Sequence, residues 1–273
     1  MVLPANCPSS NHDHLPGDSN YGCERALDRM IKEVLRLQSK TYIYTWRPAM
    51  DLGIWSNRLM DCVFPLDEFG SPEPLPGLTD QPLNVVMGDK ARTWSRVRVH
   101  RHFFPHYLDQ PPTFVAPKSM RGPDWPSEKI DYVMLSALSS SPNQLYYLPT
   151  KAGIPARDME EIRKWLDWGR KNIRYLQVRK DLPQWPAAGK VDGNAHVIGD
   201  RGLMFLFNPN SKMLPGKFRL DTESIGLTKG ARFVLVADYP ASQTKQQGSF
   251  GEEVTWEVPA QSCVVLSITP VVG

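Results

Sequence analysis

The chain has 273 residues, enough for one large domain or two medium ones. Hydrophobic residues make up 41% and charged residues 22%, ordinary values for a globular protein, and a formal charge of +3 gives no basis for nucleic acid as a partner. No apolar run approaches the roughly 18 residues needed to cross a bilayer, so no membrane partner is expected. The start, Met1-Val2-Leu3-Pro4-Ala5-Asn6-Cys7, lacks the basic region and long apolar core of a signal peptide. The chain shows no export signal of its own, and secretion or a periplasmic location of a longer product stays open.

Cys7, Cys23, Cys62 and Cys263 form no CxxC pair, which argues against a zinc ribbon. Cys7 and Cys23 could bridge across a loop; without a secretory context we read them as free thiols. Twenty-five prolines suggest long ordered loops rather than a helical bundle. Eight tryptophans are also present, and an exposed indole at a loop end suits the C–H face of a sugar ring. For any single ring, core packing is the competing reading.

In chain order, residues 1–20 are polar and turn-rich. Residues 21–38 predict a helix, with Ala26, Met30, Ile31, Val34 and Leu35 at three- and four-residue spacing. A strand follows from Thr41 to Trp46, then Arg47-Pro48-Ala49-Met50-Asp51, then a second apolar run, Cys62 to Leu66, ending in Asp67-Glu68. Two strands that finish in charged residues suggest an α/β barrel, whose working residues stand where strands give way to loops. Residues 70–90 read as loop, Ala91 to Phe104 as a helix ended by Pro105, Asp131 to Leu138 as a buried strand, and Leu145 to Leu148 as a short apolar run. Pro155 to Leu176 is the clearest helix: acidic residues near its start and basic ones near its end complement the dipole.

From Val191 onward the period drops to two. Strand candidates are 202–207, 216–220, 232–236, 253–258 and 262–268, with turn residues between them. The fold class expected is therefore α/β, a partial (β/α)8 barrel over 1–182 followed by an antiparallel β-sandwich over 183–273.

Several pieces in this order resemble a known group. They are Arg47-Pro48-Ala49-Met50-Asp51-Leu52-Gly53, the strand ending at Asp67, the run RVRVHRHFFP from Arg96 to Pro105, the helix 155–176, and Gly202 to Pro209. Together they resemble the second half of α-galactosidase-like glycoside hydrolases, the melibiase group, which join a (β/α)8 barrel to a C-terminal antiparallel β domain. The resemblance implies a retaining mechanism with two carboxylates and no cofactor. It makes Asp67 the acid/base, with Glu68 and Asp61 as alternatives; adjacent extended residues point to opposite sides, so Asp67 and Glu68 do not both face the pocket.

Arg47 and Asp51 would hold sugar hydroxyls or pair with each other as a salt bridge. Trp46 and Trp55 would form a sugar platform or fill the core, and His12 or His14 would line the sugar site. His12, His14, His100, His102 and His106 include no third ligand at a recognised spacing, so no metal is expected.

The resemblance places the nucleophile on a strand before residue 1. The expectation is a glycoside hydrolase fragment, inactive alone, whose substrate is an oligosaccharide or glycoside. Its partner would be the missing N-terminal half of the barrel or a self-associated copy. The alternative function is a non-catalytic carbohydrate-binding or scaffolding protein.

Overall fold

The computed structural model describes residues 19–46, 60–64, 73–101, 105–109, 112–114, 125–143, 145–146, 154–228 and 232–271. Helix α1, Ser19–Leu37, turns Ile31 inward with Leu27 and Leu35, against Met60 and Leu108. Strand β1, Tyr44–Trp46, pairs in parallel with β2, Cys62–Phe64. Helix α2 is Leu83–Arg101, and a 3-10 turn follows at His106–Leu108. Strand β3, Pro112–Phe114, pairs in parallel with β4, Leu145–Tyr146, and between them lies helix α3, Ile130–Ser140. Helix α4 is Ala156–Leu176, with Pro155 at its N-cap.

The rest is antiparallel. Strands β5 (Lys180–Asp181), β6 (Asp192–Ile198), β7 (Arg201–Asn208), β9 (Arg232–Tyr239), β10 (Lys245–Ser249) and β12 (Ser262–Pro270) form a six-stranded sheet in the order β10-β9-β12-β7-β6-β5. Strands β8 (Leu214–Arg219) and β11 (Glu253–Val258) form a separate two-stranded ribbon.

Both faces of the large sheet are covered, and the alternation of the strands divides their side chains between two cores. On β7, Met204 and Leu206 join Phe218 and Trp256 of the ribbon, while Leu203, Phe205 and Phe207 join Tyr132, Ile162 and Trp165 of the helices. On β12, Val264, Leu266 and Ile268 take the ribbon side, while Cys263 and Val265 take the helix side. A strand buried on both faces needs apolar residues at every position, which is what Gly202-Leu203-Met204-Phe205-Leu206-Phe207 supplies.

This corrects the expected fold class. Among the described residues there is no (β/α)8 arrangement followed by a separate sandwich: the antiparallel sheets do not close into a barrel, and the parallel strands occur as two short pairs. The main cause is the run Asp131–Leu138. Read as a strand, it is the body of α3, buried on nearly every side. A helix enclosed all round shows no 3.6-residue period, so an apolar run of this length does not distinguish the two states.

Helix α2 also begins eight residues before the expected start at Ala91. Gly88, read as a loop residue, lies inside it because α3 passes close by. A Cβ there would stand 2.6 Å from Ser136 Oγ and 2.9 Å from the Tyr132 ring.

Candidate functional site

The sequence points to the ends of β1 and β2. Their register pairs Tyr44 with Cys62, Thr45 with Val63 and Trp46 with Phe64, so both strands run the same way and stop level with each other. The segments that open with Arg47 and that lead to Asp67 therefore leave the pair at the same end. Arg47, Asp51, Trp55, Asp67, Glu68, His12 and His14 lie outside the described residues, and Trp46 is described by its backbone alone.

Asp61 stands at the other end of β2. Its exposed carboxylate accepts the Ile43 N–H at 2.7 Å, and its own N–H donates to the Ile43 carbonyl at 2.9 Å. These bonds fix the entry of β1 against β2. Asn143 braces the same corner: its amide donates to the carbonyls of Asp61 and Tyr107 at 3.2 and 2.7 Å, and the Tyr42 hydroxyl donates to its Oδ1 at 3.3 Å. Behind the corner, burial pushes the Cys62 thiol up to about 11. Cys62 and Cys263 are free and buried. Cys7 and the Cys23 side chain lie outside the described residues.

Buried charged groups form two networks around α2. Arg92, fully buried, donates from Nε and Nη2 to both carboxylate oxygens of Asp192 at 2.7 and 2.9 Å, and from Nη2 to Asp89 at 2.8 Å. Tyr132 also donates to Asp89 at 2.6 Å, and the Arg92 guanidinium lies 3.9 Å over the Phe207 ring. Burial lifts Asp89 to about 6 against the pull of Arg92 and Tyr132. A network this enclosed offers no path for a substrate. Its chemistry is that of a buried hydrogen-bonded cluster, one guanidinium between two carboxyl groups, which holds α2 to α3 and β6.

The second network opens to solvent at one side. Asp181 on β5 accepts Arg179 at 2.8 and 3.0 Å and His100 Nε2 at 2.9 Å, and Arg96 Nε stands 3.4 Å away. Burial raises the Asp181 pKa, but Arg179 and Arg96 outweigh it and hold the group at about 2. Arg96 also donates to the carbonyl of Gln184, and its guanidinium lies 5.8 Å from the Trp185 ring. His100 is half exposed and faces Trp185 at 6.4 Å between ring centroids.

The other histidines are set apart. Helix α2 ends at Arg101, His102 lies outside the described residues, and His106 opens the 3-10 turn. Burial, then Arg179, lowers His106 to about 4 and His196 to about 3. Among the described residues no group of three or more His, Cys, Asp or Glu is placed to hold a metal ion, and no helix is long and apolar enough to cross a membrane. An apolar groove between α3 and α4 is lined by Leu138, Leu166, Ile173 and Leu176. Its charged member is Arg170, so the groove holds no carboxylate pair for acid–base chemistry.

No family model matches the sequence, and no curated protein matches it. The likeness is one of shape. The chain superposes on a GH36 alpha-galactosidase from Geobacillus stearothermophilus in complex with stachyose with a TM-score of 0.62 at 12% identity, covering 96% of this chain and 33% of that one. The galactosidase domain of an alpha-galactosidase–sucrose kinase gives 0.60 at 13%, covering 94% and 32%. An alpha-amylase from Geobacillus thermoleovorans, complexed with acarbose, gives 0.55 at 12%, covering 91% and 58%. The chain thus spans about a third of the length of these galactosidases and 58% of the amylase. Its fold is shared, at low identity, with parts of these galactosidases and of the amylase.

Proposed function

We propose that this chain carries the proton-donor side of a retaining, α-galactosidase-like glycoside-cleaving site. Asp67 is the acid/base, and Arg47, Asp51, Trp46 and Trp55 surround the sugar. The observation that carries the reading is the level, parallel ending of β1 and β2, which sends the Arg47 and Asp67 segments out of the same end of the pair. The shared fold with galactosidases supports it at the level of architecture, and a fold does not fix a substrate.

In this reading Asp67 protonates the glycosidic oxygen as the bond to the anomeric carbon breaks. A second carboxylate, roughly 5–5.5 Å away, attacks the opposite face of that carbon. Asp67, now ionised, then takes a proton from water, which displaces the sugar from the second carboxylate. No residue of this chain is assigned the nucleophile's role. Arg47 and Asp51 orient hydroxyls through charge-assisted hydrogen bonds.

The test is binding and turnover of 4-nitrophenyl α-galactoside by the chain, with Asp67→Asn and Arg47→Ala beside it. The chain alone binds the glycoside and turns it over slowly or not at all. Arg47→Ala weakens binding about tenfold, equivalent to about 1.4 kcal/mol. Asp67→Asn removes whatever turnover is present. Robust hydrolysis that persists in Asp67→Asn overturns the assignment, as does binding that ignores both substitutions. Binding lost in Arg47→Ala, with turnover undetectable even when separately expressed galactosidase segments are added, favours the non-catalytic carbohydrate-binding alternative.

A further inference from the structure

We propose that Trp185 and His100 form a second carbohydrate-binding site, taking one pyranose ring at the β5 edge of the large sheet. It uses none of the residues assigned to the ends of β1 and β2.

Both rings are exposed and both are held from beneath by the same buried charges. Trp185 is 38% exposed. His100 is 52% exposed at its side chain, whereas Arg96, Arg179 and Asp181 are 1%, 2% and 5% exposed. Asp181 accepts His100 Nε2 at 2.9 Å, which fixes the orientation of the imidazole. Arg96 donates to the Gln184 carbonyl, one residue before Trp185, and its guanidinium lies under the indole at 5.8 Å. Asp181 is itself locked by the two-pronged bond from Arg179. The loop carrying Trp185 is closed at its base by the bond from Leu182 N–H to the Gly193 carbonyl. The two rings thus meet a ligand in one arrangement, and little side-chain freedom remains to be lost on binding.

The chemistry of the exposed surface selects the ligand. The cationic groups of Arg96 and Arg179 are buried and both pair with Asp181, so neither guanidinium is presented at the surface to an ion. It presents a flat apolar ring with a hydrogen-bonding nitrogen beside it. With Nε2 engaged by Asp181, His100 Nδ1 has no hydrogen-bond partner among the described residues, and neither does the Trp185 indole N–H. A pyranose matches both features: its axial C–H face lies on the indole, and an equatorial hydroxyl reaches the imidazole nitrogen.

The experiment is a titration of the full chain, labelled with nitrogen-15, against methyl α-galactopyranoside and against maltotriose. The Trp185 indole signal is identified by its absence in Trp185→Phe. The signal is expected to shift saturably with one of the two sugars, with a dissociation constant of about 1–10 mM, the range of a single weak contact pair. His100→Ala weakens that binding at least fivefold. Asp67→Asn leaves the Trp185 shift unchanged, which separates this site from the proposed cleavage site. Failure of the cleavage reading, by contrast, shows as glycoside binding that ignores Arg47→Ala and Asp67→Asn, with the Trp185 shift intact. His100 and Trp185 are both exposed, and an unchanged denaturation midpoint in His100→Ala and Trp185→Phe confirms folded protein. The proposal is overturned if the Trp185 signal stays still with both sugars, or if it moves equally in wild type and His100→Ala.

Discussion

The two faces of the six-stranded sheet solve the same packing problem with different chemistry. On the ribbon side, Met204, Leu206, Phe218, Leu235, Trp256 and Leu266 meet in an apolar core. On the helix side, Phe205, Phe207, Tyr132 and Trp165 are interleaved with buried Arg92, Asp89 and Asp192. Apolar packing is tolerant of shape, whereas a buried ion network demands every partner at once. The ribbon face therefore supplies bulk stability, and the helix face fixes where α2 sits and, through Arg96 at its far end, where His100 and Trp185 stand.

The largest expected effect tests that division. Arg92→Ala leaves Asp89 and Asp192 buried without their cation and costs about 3–5 kcal/mol in chemical denaturation. Replacing the three groups together, as Arg92→Met with Asp89→Asn and Asp192→Asn, should recover a large part of that loss. A triple variant as unstable as the single one would show that the helix face depends on more than charge pairing. On the ribbon face, Leu266→Ala should cost about 2–5 kcal/mol through a cavity, with no comparable rescue available from a neighbour.

A smaller effect is expected at the close approach of α2 to α3. Gly88→Ala forces a methyl against Ser136 and Tyr132 and should cost about 1–3 kcal/mol, read as a shift in the denaturation midpoint.

The acid side of the stability profile sharpens the comparison further. His106 and His196, lowered to about 4 and about 3 by burial, belong to the helix side of the sheet. The unfolded chain binds protons at these groups below about 6.5, where the native chain does not. Their contribution is therefore fully present above that pH and declines as pH falls toward the folded-state values. His196→Gln should flatten the loss of stability between about pH 6.5 and 4. An unchanged slope in that variant would place the acid sensitivity elsewhere.

The smallest expected effect on stability is Trp185→Ala. The ring is exposed at the sheet edge, and the change should stay within about 0.5–1 kcal/mol by denaturation. A loss of several kcal/mol would mean that Trp185 belongs to the core.

Parts of this organisation were legible in the sequence for clear reasons. Helix α4 carries a periodic stripe and charges ordered along its dipole, and it runs where expected, Ala156–Leu176. The β12 run from Ser262 and the β11 run Glu253–Val258 alternate as strands do. Strands β6 and β10 were missed because their glycines, polar residues and short length carry little propensity; Gly193 is required where a Cβ would meet the Phe205 carbonyl at 2.2 Å. The Arg96–Pro105 run was noticed for its order in the chain, yet nothing in it signalled that Arg96 and Arg98 are buried. Burial of a charge depends on partners distant in sequence, here Asp181 and Asp109.

The sequence by itself determined the local states with a strong period: α1, α4 and the alternating strands of the last third. It also suggested Arg47 and Asp67 as charged strand ends, and both lie outside the described residues. Tertiary structure alone decided that Asp131–Leu138 is a helix, because a segment enclosed on all sides loses the polar face that would have revealed its period. It alone decided that the parallel strands form isolated pairs and that His100 and Trp185, 85 residues apart in the chain, share one surface. Contacts of that kind arise from the packing of α2 against β5, and no local pattern of residues encodes them.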